Sequence, residues 1–118
     1  MIHERYRIMG ILDELVKEAM KSGASKIDIS LEDQPDEVII IVKDNGQQME
    51  RDKVDEIRRA LEQPRHDEIE PYYHELLGQV FHGPGYALLG QMVDSGQVNT
   101  SQEGTTIIVT RRKQGGHR

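Results

Sequence analysis

Apolar residues near the start of the chain recur every three or four positions, which is the period of one helical face. They are Ile8, Ile11, Leu12, Leu15, Val16, Ala19 and Met20. Gly23 follows them at the position where a left-handed helix cap belongs. The pattern therefore predicts an amphipathic helix over residues 3–22.

The next segment alternates apolar and polar positions, as a half-buried strand does. Its apolar members are Ile27, Ile29 and Leu31, and its polar members are Lys26, Asp28 and Ser30. Residues 32–37 contain a proline and predict a turn. The β-branched run over residues 38–42 predicts a central strand buried on both sides. We expect the two strands to pair as a hairpin.

Turn signals and periodic patterns divide the rest of the chain into short elements. Asn45-Gly46 predicts a turn, because both residue types tolerate positive φ. Helices are predicted over residues 52–62, 71–81 and 86–94. The first of them would bury Val54, Ile57 and Leu61, and Gly96 would cap the last. Strands are predicted over residues 97–100 and 105–110. This order favours an α+β two-layer sandwich, with about four strands and helices on one face.

Composition limits the class of protein. The chain has 118 residues, 36% of them hydrophobic and 31% charged, which suits one domain over residues 1–118 with a thin core. It has no cysteine, so disulfides and thiolate metal sites are excluded. No apolar run approaches the roughly 20 residues of a membrane helix, and no signal-peptide pattern opens the chain. We therefore expect a cytoplasmic protein that does not associate with membranes.

The charge of the chain disfavours one class of partner. The formal net charge is −6, so a nucleic-acid backbone would be repelled on average. The basic stretch Arg111-Arg112-Lys113 is the exception. Because it is short and lies near the end of the chain, it is interpreted as a solvated tail.

Four separated segments together resemble one family. Residues 14–19 on the first helix resemble its N box, residues 44–46 (Asp-Asn-Gly) its adenine-binding loop, residues 83–89 its glycine-rich lid, and residues 104–107 the start of its last strand. In this order and spacing, the sequence resembles the gyrase, histidine kinase and mismatch-repair ATPases of the GHKL superfamily, and most closely the histidine kinase branch.

The resemblance implies a Bergerat-type mixed β-sheet, with ATP held between the first helix, the lid and the sheet. It implies that Asp44 accepts a hydrogen bond from the adenine amino group and that Thr105 binds the same edge of the base. Gly46 would let the backbone approach the base closely. Gly83 and Gly85 would offer backbone N–H groups to phosphate at a helix start.

Two glutamates stand at the N-box positions that carry chemistry in this family. The resemblance places Glu14 where hydrolysing members polarise water, and Glu18 where an asparagine normally holds Mg²⁺. A glutamate is a candidate Mg²⁺ ligand, because this ion favours oxygen donors. Without the metal, Glu18 would repel the triphosphate by about 4 kcal/mol at ~4 Å and an effective dielectric near 20. Alternatively, both glutamates belong to a charged helix face with Lys17 and Lys21.

Other departures from the family pattern leave several functions open. Gln48 and Ala87 replace family glycines, and no phosphate-binding lysine or arginine is evident near the lid. We expect a histidine kinase-like domain that binds ATP and Mg²⁺, hydrolyses weakly or not at all, and acts on or through a protein partner. One alternative is a regulatory or protein-binding module that kept the fold and lost ATP. Another is a metal- or small-ligand domain that uses Glu14, Glu18 and Asp44. The sequence leaves the oligomeric state open.

Overall fold

The structure of the protein is a computed structural model that describes residues 2–63 and 89–113. The predicted helix over residues 71–81, and the lid residues Gly83, Gly85 and Ala87, lie outside the described residues. The described part of the chain contains two helices and a four-stranded sheet. Neither helix combines the length and the apolarity that a membrane span requires.

The first helix, α1 (Ile2–Lys21), follows the predicted apolar period closely. Ile11, Leu15 and Ala19 are buried on its inner face. The helix ends as predicted, because Gly23 adopts a left-handed φ of 79° and its N–H donates to the carbonyl of Met20 at 3.1 Å.

Four strands, β1 (Ile27–Asp33), β2 (Glu37–Asp44), β3 (Ser95–Ser101) and β4 (Gly104–Arg112), form one sheet in the order β1-β2-β4-β3. All three described pairings are antiparallel, so the mixed sheet that the resemblance implied is not seen among the described strands. The strands of each sequential pair are joined by a short turn, which antiparallel pairing allows. The predicted α+β class, with about four strands and helices on one face, is confirmed.

Two of the predicted strands are less buried than their patterns indicated. In β1, Ile29 and Leu31 are 49% and 45% exposed, although half-burial was predicted, because β1 is an edge strand. In β2, residues 38, 40 and 42 are buried but Ile39 and Ile41 are only half-buried. The prediction of burial on both faces is therefore wrong, since the helices cover only one face.

The second helix, α2 (Arg51–Leu61), matches its prediction and buries Val54, Ile57, Ala60 and Leu61. Before β3, the chain makes a short 3-10 turn over Gly90–Met92 and is extended at Val93. The predicted helix over residues 86–94 therefore ends too late, and residues 86–88 lie outside the described residues. Gly96 does not cap it, because it lies within β3 and its Cα faces the side chain of Leu61.

One apolar core joins these elements. It lies between the helices and one face of the sheet, and it combines Ile11 and Leu15 of α1, Ile57 of α2, Ile40 of β2 and Val109 of β4 with their apolar neighbours. Burial of such side chains is the main favourable contribution to folding, at about 1.5–3 kcal/mol for each large one. The core fixes α1 and α2 on one face of the sheet, so that the last turn of α1 lies near the end of β2.

Arg111 corrects the interpretation of the basic stretch as a solvated tail. It lies in β4 with a fully buried side chain. Its Nε and Nη2 donate to the two carboxylate oxygens of Glu4 at 2.7 and 3.1 Å, and Nη1 donates to the carbonyl of Met92 at 2.6 Å. This fork-to-fork pair ties the first turn of α1 to β4 and to the 3-10 turn. Of the three basic residues in this stretch, only Arg112 and Lys113 are accessible to solvent.

Candidate functional site

A cavity opens between α1, the start of α2 and the end of the sheet where β2 stops. Its described walls enclose about 110 Å³ and include Glu18, Asp44, Lys53 and Thr105. Typical ligand pockets measure roughly 300–1,000 Å³. The described walls therefore suit a fragment such as a nucleobase better than a complete nucleotide.

Asp44, the last residue of β2, places a buried carboxylate on this cavity. The residue is only 7% exposed. Its Oδ1 accepts a hydrogen bond from the Gly46 N–H at 2.8 Å and lies 3.3 Å from the Ser22 hydroxyl. Within the described residues, Oδ2 makes no hydrogen bond. A buried oxygen without a partner is costly, so this atom is suited to accept a hydrogen bond from a ligand.

The turn after Asp44 is shaped by crowding, and the predicted reason for its glycine is wrong. Neither Asn45 nor Gly46 has positive φ. Instead, a Cβ on Gly46 would lie 1.9 Å from Ser22 Oγ and 2.8 Å from the Ser22 carbonyl oxygen. Asn45 holds the α1–β1 loop, because its Oδ1 accepts from the backbone N–H groups of Ser25 and Lys26 at 2.9 and 3.0 Å. Both residues therefore hold the loop that positions Asp44.

Thr105 lies directly beside Asp44, because the register of β2 and β4 pairs these two residues. Its side chain is buried, and its hydroxyl oxygen lies 2.8 Å from that of Thr100. The Thr100 hydroxyl also accepts from the Met49 N–H at 2.9 Å. When Thr100 donates to Thr105, the Thr105 proton remains available to a ligand acceptor. The structure thus brings together the two residues predicted to bind one edge of a base.

Glu18 forms an ion pair that the sequence did not reveal. Its carboxylate contacts the ammonium group of Lys53 in the first turn of α2, with the two side chains 10% and 38% exposed. Both residues line the cavity, and Lys21 does so as well. Lys53 is therefore a candidate phosphate-binding cation in the described part of the site. The predicted lack of such a cation near the lid lies outside the described residues and stays a prediction. Lys53 also neutralises the charge that was expected to repel a triphosphate.

The residues around Glu18 do not fit a divalent cation as they stand. No group of three or more acidic or histidine side chains within residues 2–63 and 89–113 could hold a metal. A divalent ion on Glu18 within ~4 Å of the Lys53 ammonium would meet a repulsion of about 8 kcal/mol at an effective dielectric near 20. A Mg²⁺ ligand role for Glu18 stays a prediction that this ion pair disfavours.

Glu14 lies one turn before Glu18 on α1 and is also buried. It is not among the residues that line the cavity, and the ammonium of Lys17 lies 3.5 Å from its carboxylate. A hydrogen bond to Asp13, reinforced by the charge of Glu14, raises the pKa of Lys17 above its ordinary value. A catalytic role for Glu14 stays a prediction, and its described contacts fit the alternative of a charged helix face.

One signal for Lys53 was present in the sequence. The amino end of a helix carries partial positive charge, so a lysine in the first turn is unfavourable unless an acidic partner compensates it. The partner, Glu18, is 35 positions away on another helix, and spacing within one helix gives no information about such a pair. Gly83 and Gly85, predicted to bind phosphate, lie outside the described residues, so their role stays a prediction.

One comparison with known proteins identifies a family for this chain. A search of curated proteins found no match to this chain. A family model for the histidine kinase-, DNA gyrase B-, and HSP90-like ATPases matches residues 3–115, which is nearly the whole chain. The matched residues include nearly all of α1, the whole of α2 and the four described strands, and thereby the residues that line the cavity. The chain therefore belongs to the family of histidine kinase-, DNA gyrase B- and HSP90-like ATPases.

Proposed function

We propose that this protein binds an adenine nucleotide at the cavity beside Asp44, hydrolyses it weakly or not at all, and acts on or through a protein partner. The family supports an ATP-binding domain of the histidine kinase type. We also propose that the protein is cytoplasmic and that residues 1–118 form a single domain.

The carboxylate of Asp44 is the observation that carries the proposal. Asp44 is buried and lines the cavity, and its Oδ2 accepts no hydrogen bond from any described residue, while Oδ1 accepts one from the Gly46 N–H at 2.8 Å. An amino group on a flat base would supply the missing donor. Thr105, buried beside it, offers a hydroxyl to the same edge of the base. Gly46 keeps the loop close against Ser22.

Weak hydrolysis follows from the two glutamates. A general base must lie within hydrogen-bond reach of the water it activates. Glu14 does not line the described cavity, and Glu18 is paired with Lys53. Neither carboxylate is therefore arranged as a free base beside a bound nucleotide. A partner belongs to the proposal, because a domain that binds but does not turn over ATP exerts an effect only on something that senses its bound state.

Isothermal titration with ADP and ATP tests the proposal on Asp44→Asn. The amide keeps an oxygen for the Gly46 N–H but turns the second oxygen into a donor, which faces the donor of the base. We expect at least a tenfold weaker affinity, since a hydrogen bond to a charged group contributes about 1.5–3 kcal/mol. The matched control is Asp28→Asn, which removes the same charge from exposed β1 and should bind as the wild type.

Two outcomes would contradict this proposal. Equal affinities for Asp44→Asn and wild type would show that the nucleotide binds elsewhere. Steady ATP turnover that is lost in Glu14→Gln would show that the domain is a hydrolase. If neither nucleotide binds the wild type, the alternative of a regulatory module that kept the fold and lost ATP takes its place.

A further inference from the structure

The ion pair between Glu18 and Lys53 is the feature of the cavity that the family pattern does not explain. It joins the last turn of α1 to the first turn of α2, and both residues line the cavity. The Glu18 side chain is only 10% exposed, whereas the Lys53 side chain is 38% exposed. The ammonium group is therefore the member of the pair that a ligand entering the cavity can reach.

We infer that Lys53 takes the place of the divalent cation, so that the phosphate groups of a bound nucleotide contact the Lys53 ammonium and binding requires no Mg²⁺. This inference rests on the proposed function, and it adds which group of the protein compensates the negative charge of the phosphates. Glu18 holds the lysine in position, and Lys53 neutralises Glu18.

The donor count of lysine makes this arrangement chemically sufficient. An ammonium group has three N–H donors and no acceptor. One donor serves the Glu18 carboxylate, which leaves two for phosphate oxygens. Lysine is a recurrent phosphate ligand that acts as a compact point charge. Because the pair as a whole is neutral, Glu18 adds no net charge that would repel an incoming anion.

The same pair explains why a metal would be poorly held here. A divalent cation would have to displace Lys53 from Glu18 or lie beside its positive charge. No other acidic residue among the fourteen that line the cavity belongs to a group that could hold a metal within the described residues. Removal of Lys53 is therefore expected to free Glu18 and to make nucleotide binding depend on Mg²⁺.

The test is isothermal titration of ADP into the full chain, with EDTA and with excess MgCl₂, for wild type, Lys53→Met and Lys43→Met. Lys43 is exposed on β2 and does not line this cavity, so Lys43→Met removes the same charge without touching the pair. We expect the wild type and Lys43→Met to bind equally in both buffers. Lys53→Met should bind about tenfold to a hundredfold more weakly in EDTA, and Mg²⁺ should restore most of the loss.

Further measurements keep the result interpretable. The melting temperature without ligand shows whether Lys53→Met is folded, and Lys53→Met/Glu18→Gln removes both charges in case an unpaired Glu18 disturbs the fold. Mg²⁺ should not rescue this double variant, because the carboxylate is gone. With ADP present, the melting temperature of Lys53→Met, but not of wild type, should rise further when MnCl₂ is added.

Three results would overturn the inference. Wild type that binds ADP only with Mg²⁺ would refute the replacement of the metal while leaving the proposed function intact. Lys53→Met that binds as wild type in EDTA would show that Lys53 does not contact phosphate. Wild type that binds in neither buffer would overturn the inference and the proposed function together.

Discussion

The two ends of the β2–β4 pair each hold a buried charged side chain, but they differ in how completely the protein supplies its hydrogen-bond partners. At one end, Arg111 donates to both oxygens of Glu4 and to the carbonyl of Met92, so each of these groups has a partner within the protein. At the other end, Asp44 keeps one buried oxygen without a bond from any described residue. A buried charge that is paired within the protein is costly to disrupt, whereas one left open to a cavity is suited to a ligand.

The comparison predicts that the two ends respond to mutation in different ways. Changes at Arg111 should reduce stability and leave ligand affinity nearly unchanged in the folded protein. Changes at Asp44 and the residues that position it should reduce affinity more than stability. The variants below separate these two effects.

Arg111→Met is expected to have the largest effect on stability. It leaves the carboxylate of Glu4 and the carbonyl of Met92 without the guanidinium that they contact. Breaking a buried ion pair from one side destabilises by about 3–5 kcal/mol. Urea unfolding followed by circular dichroism measures the loss. The control Arg112→Met, exposed and next along β4, should change stability by less than about 1 kcal/mol. Similar small losses in both variants would refute a structural role for Arg111.

Gly46→Ala should affect both stability and binding. The added Cβ would overlap Ser22 and force the loop away from α1, at about 1–3 kcal/mol in stability. Because Asp44 is held by the N–H of residue 46, ADP affinity should fall as well. Gly23→Ala is the control: its φ of 79° also disfavours alanine, but nothing lies within 4 Å of the new Cβ. If Gly23→Ala weakens ADP binding as strongly, the loss reports general destabilisation and not the position of Asp44.

Thr105→Val should have the smallest effect of the three. The change keeps the shape of the side chain but removes its hydrogen bond with the Thr100 hydroxyl, which contributes about 1 kcal/mol. Loss of the hydroxyl that faces a base should also weaken ADP binding by about tenfold. Thr106→Val, half-buried on the opposite face of the sheet, is the matched control and should leave affinity unchanged. Equal affinities for both variants would remove Thr105 from the site.

The sequence predicted the parts of the molecule that local pattern and chain order determine. The apolar period placed α1 and α2 within a residue or so of their bounds, and the turn signals placed the β2 and β4 ends that bring Asp44 beside Thr105. The exposure of Ile29 and Leu31 could not be predicted, because alternation does not distinguish an edge strand from one beneath a helix.

Side-chain pairs between distant elements account for the other differences. Glu18 meets Lys53, and Glu4 meets Arg111, only because the core sets α1 against α2 and β4. Neither contact follows from a helical or strand period, since the partners belong to different elements. Basic residues near the end of the chain resembled a solvated tail until the pairing of β2 with β4 placed Arg111 over the core.

A backbone amide NMR titration with ADP in EDTA tests the central claim most directly. If the base binds Asp44 and Thr105 and the phosphates bind Lys53, the amide signals of Gly46, Lys53 and Thr105 should shift together along one saturable curve. Saturable shifts confined to β1 or to the Arg111 end of the sheet, or a spectrum that ADP leaves unchanged, would contradict it.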